Sequence, residues 1–202
     1  IESWQGHKEW VNGVRFSTDG LQFASVSDDG LLKVWEASTG KNLLTFRGHI
    51  AGINQLAWHP EGKKIYTTSA DNTVKVWDIN NPGEMSFRAS VIGPWKAPVS
   101  PDGNLLAPVN SDKYLALYNM NTGKPEKFLD SLSAFAAVFS SDGQYLATGY
   151  RAINIYNTTT GKKQITARGH SGVVYGMDYN GILNLFVTAA DNTVRFWNTT
   201  DT

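Results

Sequence analysis

The chain of 202 residues contains no cysteine. Disulfide scaffolds, thiolate metal sites and cysteine nucleophiles are therefore excluded. Neither sign of charge is in surplus, with 18 Lys+Arg against 18 Asp+Glu. The basic excess that non-specific binding to nucleic acid or an anionic membrane requires is missing, so neither partner is expected. Runs without charge reach about a dozen residues, well short of the roughly 20 that span a bilayer, so no membrane segment is expected. The opening IESWQGHKEW has no basic stretch followed by an apolar one, and no signal peptide is expected in it. These absences favour a soluble, intracellular and cytoplasmic protein. What is present is ample material for a core. Forty-one per cent of residues are apolar and 12% aromatic, and the length suits one domain.

Comparing the chain with itself is the productive step, because a fixed period decides the architecture. Gly-His pairs stand at Gly6-His7, Gly48-His49 and Gly169-His170. Short alternating runs end in an aromatic: LKVW at Trp35, VKVW at Trp77, LALY at Tyr118, INIY at Tyr156 and VRFW at Trp197. These aromatics are 42, 41, 38 and 41 residues apart. The distance from His to Trp is 28, 28 and 27 residues in the three units that have both. Turn signals recur as FSTDG, WHPEG, VSPDG and FSSDG, and TGK follows three of the aromatics at a constant offset. Five units of strands separated by turns cover the chain, without a helical period. In the second unit the strands read INQLAW, KIYTTSA, TVKVWD and MSFRA. Such sheets cannot bury both faces alone, but stacked radially they bury one another.

Gly-His, then Asp, then Trp-Asp at this period resembles the WD-repeat (WD40) β-propeller family, strongly in units 1, 2 and 5 and weakly in 3 and 4. The resemblance implies an all-β fold, a β-propeller of five four-stranded antiparallel blades forming a single domain. The blades would run 6–47, 48–88, 89–128, 129–168 and 169–202. Residues Ile1 to Gln5 would complete the last blade as its outer strand and close the ring. The competing reading is an excerpt of a longer propeller or multidomain protein. The resemblance also implies the habitual role of such propellers, a non-enzymatic scaffold that binds protein or peptide partners.

The motifs that could carry chemistry have a structural explanation. His7, Ser27, Asp29 and Trp35 recur as His49, Ser69, Asp71 and Trp77, and then as His170, Asp191 and Trp197 with Ala189 in the serine's place. Ser, His and Asp could make a hydrolytic triad, yet that needs one exposed nucleophile with an oxyanion hole, not a set repeated along the chain. The family implies a buried network in which imidazole joins the Asp turn to the serine hydroxyl and the indole N–H. TGK lacks the first glycine and the strand-to-helix setting of a phosphate loop, and a hairpin turn explains it. Three of the four histidines are assigned to the network and His59 to a turn, so no metal cluster and no cofactor is expected. Counting back from the DG turns puts Ala89-Ser90 and Leu129-Asp130 in the Gly-His slots of units 3 and 4. Asp112 then has no His partner, and Tyr150 replaces the Asp of unit 4.

The family's usual partner surface is the face of the loops around the central channel. Positions aligned to it are Trp10, Gly52, Gly93, Ser133 and Val173, and further in Asn12, Asn54, Trp95, Phe135 and Tyr175. The turns add Asp28, Ala70, Ser111 and Ala190. Trp10, Asn12, Asp28, Asn54, Trp95, Phe135 and Tyr175 are the candidate binding residues, since Trp and Tyr dominate hot spots. Packing of the rings inside a narrow channel is the alternative reading for the aromatics. A small-ligand binder or enzyme using the channel is a further alternative. A monomer with a protein or peptide partner is expected.

Overall fold

The computed structural model describes residues 3, 5–82, 85–90, 96–109, 115–129 and 134–198, with 85–90 described by backbone alone. The described residues contain strands and turns and no helix. They form five antiparallel sheets in which each strand pairs with the next in sequence. The first sheet comprises β1 (Val11–Phe16), β2 (Gln22–Ser27), β3 (Leu32–Glu36) and β4 (Asn42–Phe46). The second comprises β5 (Ile53–Trp58), β6 (Lys64–Ser69), β7 (Thr73–Asp78) and β8 (Met85–Ser90). The third has three strands, β9 (Leu105–Leu106), β10 (Leu115–Asn119) and β11 (Pro125–Leu129). The fourth comprises β12 (Ala136–Phe139), β13 (Tyr145–Gly149), β14 (Ala152–Asn157) and β15 (Lys163–Arg168). The fifth has β16 (Gly176–Asn180), β17 (Leu185–Ala190) and β18 (Thr193–Asn198).

Two of the five sheets thus differ from the expected four strands. In the third, Lys96 and Val109 are single bridge residues, and the segment before β9 adds the isolated bridge of Val99 to Leu106 instead of a ladder. Pro98 and Pro101 flank that bridge, and proline cannot donate to a ladder. In the fifth, no fourth strand stands among the described residues. Of the segment expected to supply it, Ile1, Glu2 and Trp4 lie outside the described residues.

The chain divides into two compact units, residues 1–97 and 98–202. In the first, Val26, Leu32 and Val34 of one sheet pack on Ile53, Leu56 and Ile65 of the next, with Trp77 at the margin. In the second, Leu115, Leu117 and Leu129 pack on Phe139, Leu146 and Tyr156. Ala147, Ile153 and Ile155 pack on Val174 and Phe186. Sequence neighbours such as Leu146 and Ala147, or Ile155 and Tyr156, project to opposite faces and enter different clusters, so the inner strands are buried on both faces. Four strands have no buried residue: β1, exposed at all positions but one, and β15, β16 and β18, exposed or half-buried throughout.

Turn chemistry sets the repeat. In the first sheet the Ser17 hydroxyl donates to Asp19 Oδ1 at 2.6 Å, the same oxygen accepts from the Leu21 N–H, and Gly20 N–H donates to Ser17 O. Ser100 with Asp102, and Ser140 with Asp142, repeat it. The glycine that follows has φ of 73°, 75° or 71°, where a side chain is strained. TGK forms the hairpin after β3, β10 and β14, its glycine N–H bonded to the carbonyl of Glu36, Asn119 or Asn157. His59 is a turn residue whose Nδ1 accepts from the Glu61 N–H.

Candidate functional site

The last aromatic of the third strand in sheets 1, 2 and 5 sets the register of a buried polar chain. Trp35 pairs with Phe23, so two residues on, Ser25 faces the indole. Trp35 Nε1 donates to Ser25 Oγ at 2.8 Å, His7 Nε2 lies 2.7 Å from the same oxygen, and His7 Nδ1 lies 3.0 Å from Asp29 Oδ2. In the second sheet Trp77 donates to Thr67 Oγ1 at 2.8 Å, with His49 Nε2 at 2.7 Å and His49 Nδ1 2.8 Å from Asp71. In the fifth, Trp197 donates to Thr188 Oγ1 at 2.7 Å, with His170 Nε2 at 2.8 Å and His170 Nδ1 2.7 Å from Asp191.

The hydroxyl in each chain is Ser25, Thr67 or Thr188, and the expectation of Ser27, Ser69 and the position of Ala189 is corrected. Ser27 and Ser69 lie two residues further on, on the same side of the strand, and cap the turn. Their hydroxyl oxygens accept from the N–H groups of Asp29 and Asp71. Ser69 Oγ also donates to the Gly52 carbonyl at 2.8 Å.

Burial raises the pKa of Asp71, but the Thr73 hydroxyl, His49 and the Ile50 N–H outweigh it and hold the carboxyl at about 2. Asp29 is lowered in the same way: burial opposes, while the Lys8 N–H and His7 prevail. Asp191 is lowered mainly by the Ser171 N–H and then by His170. Carboxylate, imidazole and hydroxyl stand in the order of a hydrolytic triad. The hydroxyl oxygen, however, accepts the indole N–H, and Ser25, Thr67 and Thr188 are all buried. A nucleophile needs access and a lone pair directed at substrate. These hydroxyls have neither, so the three sets are cross-links of the sheet.

Sheets 3 and 4 depart from this. Val74 pairs with Ala89 and Leu115 with Leu129, where the first sheet pairs Leu32 with Phe46. Ala89 and Leu129 are thus strand residues equivalent to Phe46, and the Gly-His slot falls two residues later than the DG turns suggested. Counting from a turn failed because loop length varies; pairing does not depend on it. Asp112, Asp130 and Trp95 lie outside the described residues. In the fourth sheet Gly149 pairs with Ile153, leaving Tyr150, Arg151 and Ala152 in the turn, whereas Val26 and Leu32 enclose five residues. The acidic position is therefore removed by a shorter turn. Thr148 keeps the hydroxyl position, 3.5 Å from the Asn154 carbonyl.

The loop side of the second unit carries an aromatic cluster. Phe135 stacks on Tyr150 at 5.6 Å and meets the edge of Tyr175 at 5.8 Å. The Arg151 guanidinium lies 5.8 Å over the Tyr150 ring. Tyr175 is 64% exposed. Tyr150 and Arg151 belong to this cluster although the repeat positions did not select them; a shortened turn was the signal. In the first unit Trp10 is 82% exposed, and Asn12 Nδ2 donates to Asp28 at 2.6 Å and to the Ile53 carbonyl at 3.0 Å. Asn54, at the equivalent of Asn12, is half-buried. Among the described residues no three His, Asp or Glu gather as metal ligands would.

The profile of the family described as WD domain, G-beta repeat matches residues 1–36, 40–78 and 161–198, more than half of the chain. The chain belongs to the WD-repeat family. The matched segments are those with the His–Asp–Trp chain, and the interval 79–160 holds the third sheet and the first three strands of the fourth. The chain is 46% identical over 41 residues to the serine-threonine kinase receptor-associated protein of Gallus gallus, 20% of this chain and 12% of that one. It is 47% identical over 36 residues to apoptotic protease-activating factor 1 of Mus musculus, 18% of this chain and 3% of that protein. It is 50% identical over 36 residues to lissencephaly-1 homolog 1 of Paramecium tetraurelia, 18% of this chain and 9% of that protein. The matched stretches span a small fraction of these relatives' length.

Proposed function

We propose that this WD-repeat chain is a non-enzymatic interaction scaffold that takes protein or peptide segments on its loop face. Trp10, Asn12, Asp28, Asn54, Trp95, Phe135 and Tyr175 are its contact residues. The exposure of large rings in the two loop series, 82% for Trp10 in one and 64% for Tyr175 in the other, carries the reading. An exposed indole or phenol adds little to folding, and these are the side chains that anchor interfaces. The histidines and their carboxylates are engaged in the sheet cross-links, which supports a role without catalysis. A five-bladed propeller is the architecture we propose for it, on the five-fold sequence period. We further propose that it acts as a monomer inside the cell.

Quantitative affinity capture from lysate with wild type and with a Trp10→Ala/Tyr175→Ala variant tests the reading. Loss of specific captured proteins from a variant of unchanged melting temperature supports it; an unchanged set of captured proteins overturns it. A second reading, these sheets as part of a longer propeller, is favoured by the apolar exposure of Phe16 (64%) and Phe196 (70%). Light scattering of the purified chain separates the two, since uncovered apolar faces make the chain associate.

A further inference from the structure

The corner of the first sheet built by Trp10 and Asp28 combines an exposed ring with a fixed carboxylate. The Asp28 N–H donates to the Trp10 carbonyl at 3.0 Å, continuing the ladder in which Val11 pairs with Ser27. Residues opposite each other in an antiparallel pair project from the same face, with Cβ atoms about 5 Å apart. The indole and the carboxylate therefore leave the sheet side by side.

The carboxylate is held in place. Asn12 Nδ2 donates to its Oδ1, and the same amide is anchored on the Ile53 carbonyl of the neighbouring sheet. Gly52 lies against it so closely that a Cβ there would stand 2.6 Å from Asp28 Oδ1. Among the described residues Oδ2 accepts no hydrogen bond and no cation pairs with Asp28. Asp29, next in sequence, is by contrast consumed by His7 and the Lys8 N–H. Lys8, two residues from Trp10, forms no ion pair with Asp28, and Glu9 adds a second exposed negative charge.

Resting on the proposed interaction role, we infer that this corner is an acceptor for an arginine side chain of the partner. An indole face attracts a cation, most strongly beside Trp, and a guanidinium can stack on the ring while its N–H groups reach a carboxylate. A fixed acceptor loses little side-chain entropy on binding, which favours this geometry over a mobile surface carboxylate. Opposite charge on the two sides also orients the segment that carries the arginine.

The test is an NMR titration of the full chain with the blocked peptide Gly-Ser-Arg-Ser-Gly, reading the Trp10 indole N–H, assigned by its disappearance in Trp10→Phe. The citrulline peptide, isosteric but neutral, and the glutamate peptide are titrated alongside. The arginine peptide is expected to shift the Trp10 signal, with affinity falling about tenfold for citrulline and about tenfold in Asp28→Asn. Trp10→Ala is expected to abolish saturable shifts at the remaining signals of the corner. Equal binding of the citrulline peptide, or no loss in Asp28→Asn, overturns the arginine assignment but leaves the interaction face standing. Absence of binding by all three peptides, with lysate proteins still captured through Trp10, also overturns it. Absence of both overturns the assignment and the scaffold reading together.

Discussion

One oxygen, Thr67 Oγ1, stands 2.8 Å from Trp77 Nε1 and 2.7 Å from His49 Nε2, and so joins an indole to an imidazole. Because an indole N–H can only donate, the hydroxyl accepts from Trp77 and passes its own hydrogen to His49 Nε2. His49 then carries its proton on Nδ1 and donates it to Asp71, so the indole, the hydroxyl and both ring nitrogens each have a partner. The same logic applies to Ser25 and Thr188. A buried polar network satisfied in this way rigidifies the sheet around it, and a partly satisfied one is costly.

Removing that oxygen is the direct test. Thr67→Val keeps the shape and leaves a buried N–H and a buried ring nitrogen unpaired, so a loss of about 3 kcal/mol is expected in urea unfolding. Thr148→Val, in the sheet without a histidine, is expected to cost less than about 1 kcal/mol. Equal losses would mean that the hydroxyls do the same thing in both sheets.

The carboxylates give the network a pH signature. The Asp71 carboxyl lies at about 2 in the folded chain against 3.8 for the ordinary group. A depressed value means the folded state binds the proton less readily than the unfolded one. The stabilisation is complete above 3.8 and is lost as pH falls toward 2. Asp29 and Asp191 act in the same direction. The urea midpoint of wild type is expected to fall steeply between about pH 4 and 2, and Asp71→Asn to start lower and fall less. Parallel curves for the two proteins would contradict this.

Much of this was legible in the sequence, for physical reasons that also explain the misses. Trp35, Trp77 and Trp197 close alternating strands, and the DG turns need a glycine at positive φ, so both survive as visible periods. His7, His49 and His170 stand out because imidazole is rare here. The hydroxyl partner was not legible. Ser25 and Ser27 project from the same side of β2, and only the pairing of Trp35 with Phe23 decides between them. Tyr150 was visible as a replacement for the acidic residue, but how many residues the turn at Tyr150 and Arg151 keeps depends on which residues pair across it. Contacts between sheets, such as Asn12 with the Ile53 carbonyl, leave no local signal at all.

Gly20 isolates the backbone requirement of the DG turn. Its φ is +73°, and a Cβ added there meets nothing within 4 Å. Gly20→Ala is therefore expected to cost about 1 kcal/mol from the left-handed conformation alone, and Gly20→Asn less, since asparagine tolerates that region. Thermal unfolding of the two variants is the measurement. An alanine variant as stable as wild type would show that the turn can relax.

Tyr175 and Phe135 touch, yet they are expected to separate in mutagenesis. Tyr175 is 64% exposed, so Tyr175→Ala should leave the melting temperature within about 2 °C of wild type, as surface changes do. Phe135 stacks on Tyr150 and is half-buried, so Phe135→Ala should cost about 1–2 kcal/mol, the stacking included. A Tyr175→Ala variant that unfolds like Phe135→Ala would identify the ring as core and remove it from the binding face.

The strands themselves differ in how deeply they are held. In β6 five of six residues are buried, and in β13 four of five, whereas β1 is exposed at all but one position and β18 has no buried residue. Local opening is easiest where few apolar contacts are broken and the backbone hydrogen bonds lie near solvent. Both conditions hold for β1, which pairs on one side with β2, and for β18, which pairs on one side with β17. The buried positions of β10, β13 and β14 hold those strands more firmly. Hydrogen exchange of the isolated chain is therefore expected to be fastest, among strand amides, in β1 and β18, and slowest in β6, β7 and β13. Slow exchange in β1 or β18 at low concentration would mean that their apolar faces, Phe16 and Phe196 included, are covered within one molecule. Slow exchange that appears only as concentration rises would mean that a second molecule covers them.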